Sequence, residues 1–122
     1  MKLAHLSDQE IKETLVLKER LELLKNQKKC QDSFLNYVEY MWPECICGRH
    51  HKIFAQKLED VANGKIKRLI VNMPPRHTKS EFCSTYFPAW IMGKQPNRKI
   101  MQTTHTGELA VRFGRKVRNM MD

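Results

Sequence analysis

The chain has 122 residues, of which 41% are hydrophobic and 29% charged, and its 22 Lys and Arg against 13 Asp and Glu give a net charge of +9. This composition excludes a disordered chain, and no apolar run approaches the roughly 20 residues of a membrane span, so we predict one soluble domain without a membrane segment. The positive charge favours polyanionic partners such as nucleic acid or nucleotide phosphates, although a basic surface without such a partner has the same charge.

The N-terminal segment MKLAHLSDQEIKETL lacks the apolar centre and the cleavage site of a secretory signal, which predicts an intracellular protein. The segment CICGRHH contains zinc-ligand types at Cys45, Cys47, His50 and His51, but their spacing differs from the usual zinc arrangements, so we do not expect zinc there. In an intracellular chain we expect free thiols rather than disulfides at the four cysteines Cys30, Cys45, Cys47 and Cys83.

Three helices are predicted in the first half of the chain. Ser7 and Glu10 have the S-x-x-E spacing of a capping box, which predicts a helix over residues 8–29. A second helix over 33–42 should stop at Pro43, and a third over 50–63 should end before Gly64, the residue type that commonly follows a helix. Apolar residues at near-helical spacing make the first helix amphipathic: Ile11, Leu15, Leu21 and Leu24.

The second half of the chain predicts alternating strands and helices. KRLIVNM (67–73) and RKIMQTT (98–104) are short apolar runs typical of buried parallel strands. A helix follows each run, the first ending at Gly93 and the second covering GELAVRFGRKVRNMM. Pro88 lies inside the first of these helices and should kink it, because the Ser84 carbonyl loses its helical partner. The order predicts an α/β fold, a parallel sheet with flanking helices, preceded by N-terminal helices.

A phosphate-binding loop is suggested where the first predicted strand ends. A Walker-type loop, G-x-x-x-x-G-K-[ST], aims backbone N–H groups and a lysine at phosphates, while its hydroxyl binds magnesium. Lys79 and Ser80 match its last two places, whereas Met73 and Thr78 occupy the glycine places. Arg76 adds a forked donor suited to phosphate oxygens. An ordinary turn with an exposed lysine is the alternative interpretation.

Residues 68–122 closely resemble the ATPase domain of the large terminase subunit of tailed bacteriophages, the motor that packages DNA into a procapsid. That family has a variant Walker A loop of the form P-P-R-H-G-K-S and a downstream segment of the form F-P-A-W-x-x-G. This chain reads PPRHTKS over 74–80 and FPAWIMG over 87–93. With HHKIFAQKLEDVANGKIKRLIV upstream and ELAVRFGRKVR downstream, the resemblance covers roughly residues 34–122.

The resemblance implies roles for individual residues. Lys79 would contact the β- and γ-phosphates of ATP, Ser80 would bind Mg²⁺, and Arg76 would stabilise the γ-phosphate. Thr78 replaces the usual glycine, and a positive φ there would strain a β-branched residue. Trp42 and His51 are candidates for an adenine contact, and a partly buried aromatic at a helix end is the alternative interpretation of Trp42. The nucleotide-binding set is Pro75, Arg76, His77, Thr78, Lys79 and Ser80.

The resemblance also implies a wider context. Residues 1–49 would form a helical lead-in and residues 50–122 a partial P-loop ATPase domain in the host cytoplasm, ending before the Walker B strand and the nuclease domain. Such a fragment is expected to bind ATP weakly and to hydrolyse little of it. The implied partners are double-stranded DNA, the terminase small subunit, the portal protein and, in the full motor, further copies of the chain.

Two other functions are compatible with the sequence. One is a non-enzymatic basic module that binds nucleic acid or a terminase partner, and the other is a helicase-like P-loop ATPase. A DNA-backbone surface is suggested by the basic residues of the last helix, although a solvated helix face has the same pattern: Arg112, Arg115, Lys116 and Arg118.

Overall fold

A computed structural model describes residues 7–122, so the first six residues of the segment used to predict an intracellular chain lie outside the description. Helix accounts for 67% of the described residues. The elements are α1 (Asp8–Asp32), α2 (Phe34–Met41), α3 (Arg49–Ala62), α4 (Lys79–Glu81), a π-helical turn (Phe82–Tyr86), α5 (Phe87–Lys94) and α6 (Gly107–Met121). The predicted helices are confirmed, and α4, the π turn and α5 form one continuous helical segment, the composite helix.

The predicted α/β fold, with its partial P-loop parallel sheet, is wrong. Residues 7–122 contain no strand, and within them no backbone hydrogen bond joins segment 67–73 to segment 98–104. Leu69, Val71 and Met73 pack against the helical core, whereas Ile70 between them is 86% exposed. The alternating apolar side chains of segment 67–73 therefore pack against the helices on one side. Among the described residues, the segment has no backbone hydrogen-bonded neighbour, so it does not form a strand.

Helix α1 begins as predicted but is not buried. The Ser7 N–H donates to Glu10 Oε2 over 2.8 Å and Ser7 Oγ accepts from the Glu10 N–H over 3.4 Å, which confirms the capping box. The predicted apolar residues, from Ile11 at 42% to Leu21 at 55% exposed, stay outside the core. The C-terminal end of α1 is hydrogen-bonded to the composite helix: Trp90 Nε1–H donates to the Cys30 carbonyl over 2.7 Å.

The core is a cluster of aromatic rings centred on Phe82 of the π turn. Phe34 of α2 meets Phe82 edge-on at 5.8 Å between ring centroids, and Phe54 of α3 stacks on it at 5.7 Å. Phe34 and Phe82 are fully buried. Because edge-on and offset-stacked contacts are the favoured aromatic geometries, this cluster fixes the composite helix against α2 and α3.

The Ser84 carbonyl has a partner from outside the composite helix. Pro88 has no N–H to donate to the Ser84 carbonyl, and the carbonyl instead accepts from Gln102 Nε2 over 3.0 Å. The helix also widens into the π turn, Phe82–Tyr86, immediately before the α5 segment that contains this proline. Through Gln102, segment 98–104 is attached to the composite helix although it is not a strand.

A side chain from α3 caps the start of α2. Ser33 makes no side-chain cap of its own for this helix. Glu59 Oε1 accepts from the Phe34 N–H over 2.7 Å and from Ser33 Oγ over 3.2 Å. A carboxylate at a helix N-terminus satisfies an unpaired N–H and interacts favourably with the helix dipole. None of the helices in residues 7–122 has the length and apolar composition that crossing a membrane requires.

We expect Glu59→Ala to lower the free energy of unfolding by about 1–2 kcal/mol, because it leaves the Phe34 N–H without its cap. Urea denaturation followed by circular dichroism measures the change. The matched control is Asp60→Ala, which removes the neighbouring carboxylate and its 3.8 Å contact with the exposed Lys65, a pair worth little. Equal effects of the two substitutions would contradict the capping role of Glu59.

Candidate phosphate-binding loop

The loop over residues 74–80 has an unusual backbone. Arg76 and Thr78 have φ values of 64° and 58°, in the left-handed region that non-glycine residues seldom adopt. The positive φ anticipated at the glycine place of the motif is therefore found at Thr78. Holding residues in this region costs of order 1 kcal/mol each, so contacts elsewhere must stabilise the loop.

Lys79 turns back across the loop at the start of the composite helix. Its Nζ donates to the Met73 carbonyl over 3.4 Å, which connects the two ends of the loop. Residues 73–81 line a concave space of about 550 Å³. Arg76 and Ser80 are exposed beside it. The loop thus combines two cationic side chains, a hydroxyl and a helix start in one cavity, which is the chemistry that phosphate groups require.

A chain of hydrogen bonds connects the loop to α3. The Gly48 N–H donates to His51 Nδ1 over 3.0 Å, so this nitrogen is unprotonated. Thr78 Oγ1 donates its hydrogen to the His77 carbonyl over 2.7 Å and must accept in its other bond, the 2.7 Å contact with His51 Nε2. The network therefore assigns His51 as the neutral tautomer with its proton on Nε2.

The surroundings of His51 keep it neutral. The side chain is 6% exposed, and its ring lies between His50, at 3.9 Å, and Phe82, at 5.3 Å, measured between centroids. Burial lowers the pKa of His51 below its ordinary value, and electrostatic repulsion by His50 and His77 lowers it further. The electrostatics thus agree with the tautomer that the hydrogen bonds assign.

An ion pair neutralises the carboxylate nearest the loop. Glu81 lines the concave space, and its Oε1 accepts from Lys116 Nζ of α6 over 2.6 Å. Both side chains are partly exposed, so the pair contributes little to stability. Its effect is local: Lys116 offsets a negative charge that would oppose a bound phosphate.

The predicted phosphate-binding residues, 75–80, all line the cavity. Neither of the two candidate adenine contacts lines this cavity. Trp42 stacks on Tyr86 at 6.1 Å between ring centroids, and His51 is held between α3 and Thr78. Adenine contact by either ring stays a prediction. Sequence reasoning did not find the His51–Thr78 bond, because the two residues are 27 positions apart and no local pattern connects them.

The cysteine and histidine segment before α3 holds a close pair of thiols. Cys45 Sγ and Cys47 Sγ are 3.6 Å apart and not bonded as a disulfide. Burial and the adjacent Cys45 thiol raise the pKa of Cys47 to about 12, so it is protonated near neutral pH. Within residues 7–122, no group of three or more Cys, His, Asp or Glu side chains is arranged to hold a metal ion.

Comparison of the sequence with models of known protein families, with curated proteins and with solved structures finds no match. The interpretation of the loop therefore depends on its own residues, backbone and contacts.

We expect the stability of the protein to fall as the pH drops below about 6.5, the ordinary pKa of histidine, because unfolded His51 takes up a proton that folded His51 does not. The unfolded chain binds more protons in this range, so stability rises with pH. His51→Gln keeps one donor and one acceptor but does not titrate, and should show a shallower decline between about pH 7.5 and 5.5. Urea denaturation at each pH measures the slopes.

The matched control for the pH series is His105→Gln, a substitution at an exposed histidine outside the loop. It should retain the decline of the wild type. A slope for His51→Gln as steep as that of the wild type would contradict a buried, neutral His51.

Proposed function

We propose that this chain has the ATP-binding role of a phage terminase large subunit, with loop 74–80 as its phosphate site. The observation that carries the proposal is the position of Lys79 at the start of the composite helix. From there its Nζ reaches across the loop to the Met73 carbonyl. The concave space of about 550 Å³ around it falls within the usual range for nucleotide-sized ligands. The residue order PPRHTKS adds the likeness to the terminase motif.

Three side chains of the loop have roles in this proposal. Lys79 Nζ exchanges the neutral Met73 carbonyl for the β- and γ-phosphate oxygens, a stronger, charge-assisted partner. Arg76 contributes a second cation from the exposed side of the loop. The exposed Ser80 hydroxyl is a hard oxygen donor of the kind Mg²⁺ accepts, and it would hold the ion beside the phosphates. Bound Mg²⁺ supplies charge neutralisation of the triphosphate.

Binding rather than turnover is the activity we propose for this chain. Hydrolysis requires a group that orients the attacking water, commonly a carboxylate. The carboxylate of Glu81 is held by Lys116, and that of Glu59 caps α2. With both groups engaged in this way, we expect little hydrolysis of bound ATP.

One observation favours nucleic acid as a partner. Arg112, Arg115 and Arg118 are exposed on α6, on the side away from its inward residues Phe113 and Val117. A row of arginines suits a phosphate backbone and would read no sequence. In a packaging motor this partner is double-stranded DNA, and the terminase small subunit, the portal protein and further copies of the chain belong to the same proposal. The alternatives are a non-enzymatic basic module and a helicase-like ATPase.

We expect Lys79→Ala to weaken binding of a non-hydrolysable ATP analogue in the presence of Mg²⁺ by at least roughly tenfold, because it removes the charge-assisted donor to the phosphates. Isothermal titration calorimetry measures the affinity, and circular dichroism verifies the fold. The matched control is Lys52→Ala, which removes an exposed lysine of α3 and should bind like the wild type. Equal affinities for all three proteins would contradict the proposed site.

Replacing Arg112, Arg115 and Arg118 by alanine together should weaken binding to a short DNA duplex. The slope of log K against log salt should fall by roughly 0.9 for each phosphate that the variant no longer neutralises. Fluorescence anisotropy at several salt concentrations measures both quantities. Alanine at Lys18, Lys25 and Lys28 of α1 makes the same change in net charge at exposed positions. If this control reduces the affinity as much, the α6 face is not the DNA surface.

A further inference from the structure

Thr78 adopts a backbone conformation that its own side chain disfavours. Its φ is 58°, and a β-branched residue has a Cβ that crowds the backbone in this region. Glycine reaches the same φ without this crowding. A threonine at this place is therefore retained in the loop conformation only where other contacts hold it there.

His51 supplies such a contact from outside the loop. Its Nε2–H donates to Thr78 Oγ1 over 2.7 Å, and the Thr78 hydroxyl donates its own hydrogen to the His77 carbonyl over 2.7 Å. The second bond joins the side chain of Thr78 to the backbone of the preceding residue. The two bonds together fix the Thr78 side chain relative to the loop backbone.

The ring of His51 is itself held in one orientation. Its Nδ1 accepts from the Gly48 N–H over 3.0 Å, and the ring is 6% exposed between His50 and Phe82. Rotating the imidazole would break both the Gly48 bond and the Thr78 bond. His51 therefore presents its Nε2–H at a fixed point, which a flexible surface donor would not do.

We propose that His51 is a positioning residue of the phosphate site: by donating to Thr78 Oγ1, it holds the loop in the left-handed conformation that glycine would adopt unaided. This inference rests on the proposed function of the loop and deepens it. It accounts for a threonine at a glycine place, since the side chain that makes the residue unfavourable for the backbone also provides the atom that His51 holds.

A double-mutant cycle tests the inference, with His51→Ala, Thr78→Gly and the double variant titrated with a non-hydrolysable ATP analogue and Mg²⁺. With Thr78 present, His51→Ala should weaken binding by roughly tenfold, the worth of one well-formed hydrogen bond. In the Thr78→Gly background the same substitution should change the affinity less than about twofold, because glycine needs no support. His51→Gln, which retains a donor and an acceptor, should restore most of the binding.

This pattern separates positioning from general stabilisation. If His51 only stabilises the fold, its loss should affect the protein equally with threonine or glycine at position 78. If His51 positions Thr78, its loss should affect nucleotide binding only when the threonine is present. An equal loss of affinity in both backgrounds would overturn the inference. Should His51→Ala fail to fold, the comparison of His51→Gln with His51→Leu in the two backgrounds gives the same test.

A measurement without nucleotide separates failure of the inference from failure of the proposed function. Backbone carbon chemical shifts and the coupling between the amide proton and Hα of Thr78 report its φ by NMR. We expect a positive φ in the wild type and a shift towards negative φ in His51→Ala. If this change occurs but no protein binds nucleotide, the proposed function fails and the positioning role stands. If the φ of Thr78 and the ATP affinity are both unchanged in His51→Ala, the positioning role alone is overturned.

Discussion

The packing of Phe82 is the constraint on which the rest of the structure depends. Its ring is fully buried, with Phe34 of α2 edge-on, Phe54 of α3 stacked on it and His51 tilted against it. Phe82 lies shortly after Ser80 in the composite helix, so its burial also fixes where this helix begins and where loop 74–80 must close. A single aromatic contact set thus joins the core to the candidate site, and disruption of one disturbs the other.

The sequence predicts those parts of the fold that neighbouring residues determine. The capping box at Ser7 and the helix ends before Pro43 and Gly64 are all local, and each is found. The Ser84 carbonyl, to which Pro88 has no N–H to donate, accepts from Gln102 instead. The sheet fails because a strand is defined by its partner, whereas an apolar run shows only that one side of a segment is buried. Here helices α2 and α3 and the composite helix cover that side.

The candidate site also has a part that the sequence predicts and a part that it does not. Residues 75–80 are contiguous, so a motif identifies them and the backbone necessarily places them together. The contacts that stabilise the site come from distant parts of the chain: His51 reaches Thr78 from α3, and Lys116 reaches Glu81 from α6. Neither contact belongs to a recurring pattern of spacing, so both require the three-dimensional structure.

A phosphate loop on a helical scaffold must obtain its rigidity from side chains. In a sheet, ladder hydrogen bonds hold the strand that leads into such a loop, and in the described part of the chain segment 67–73 has none. The Lys79–Met73 bond joins the two ends of the loop. In the proposed function, this bond would be given up when Lys79 turns to a phosphate. The loop conformation in the bound state then relies on the two contacts that a ligand does not replace, the burial of Phe82 and the hydrogen bond from His51 to Thr78.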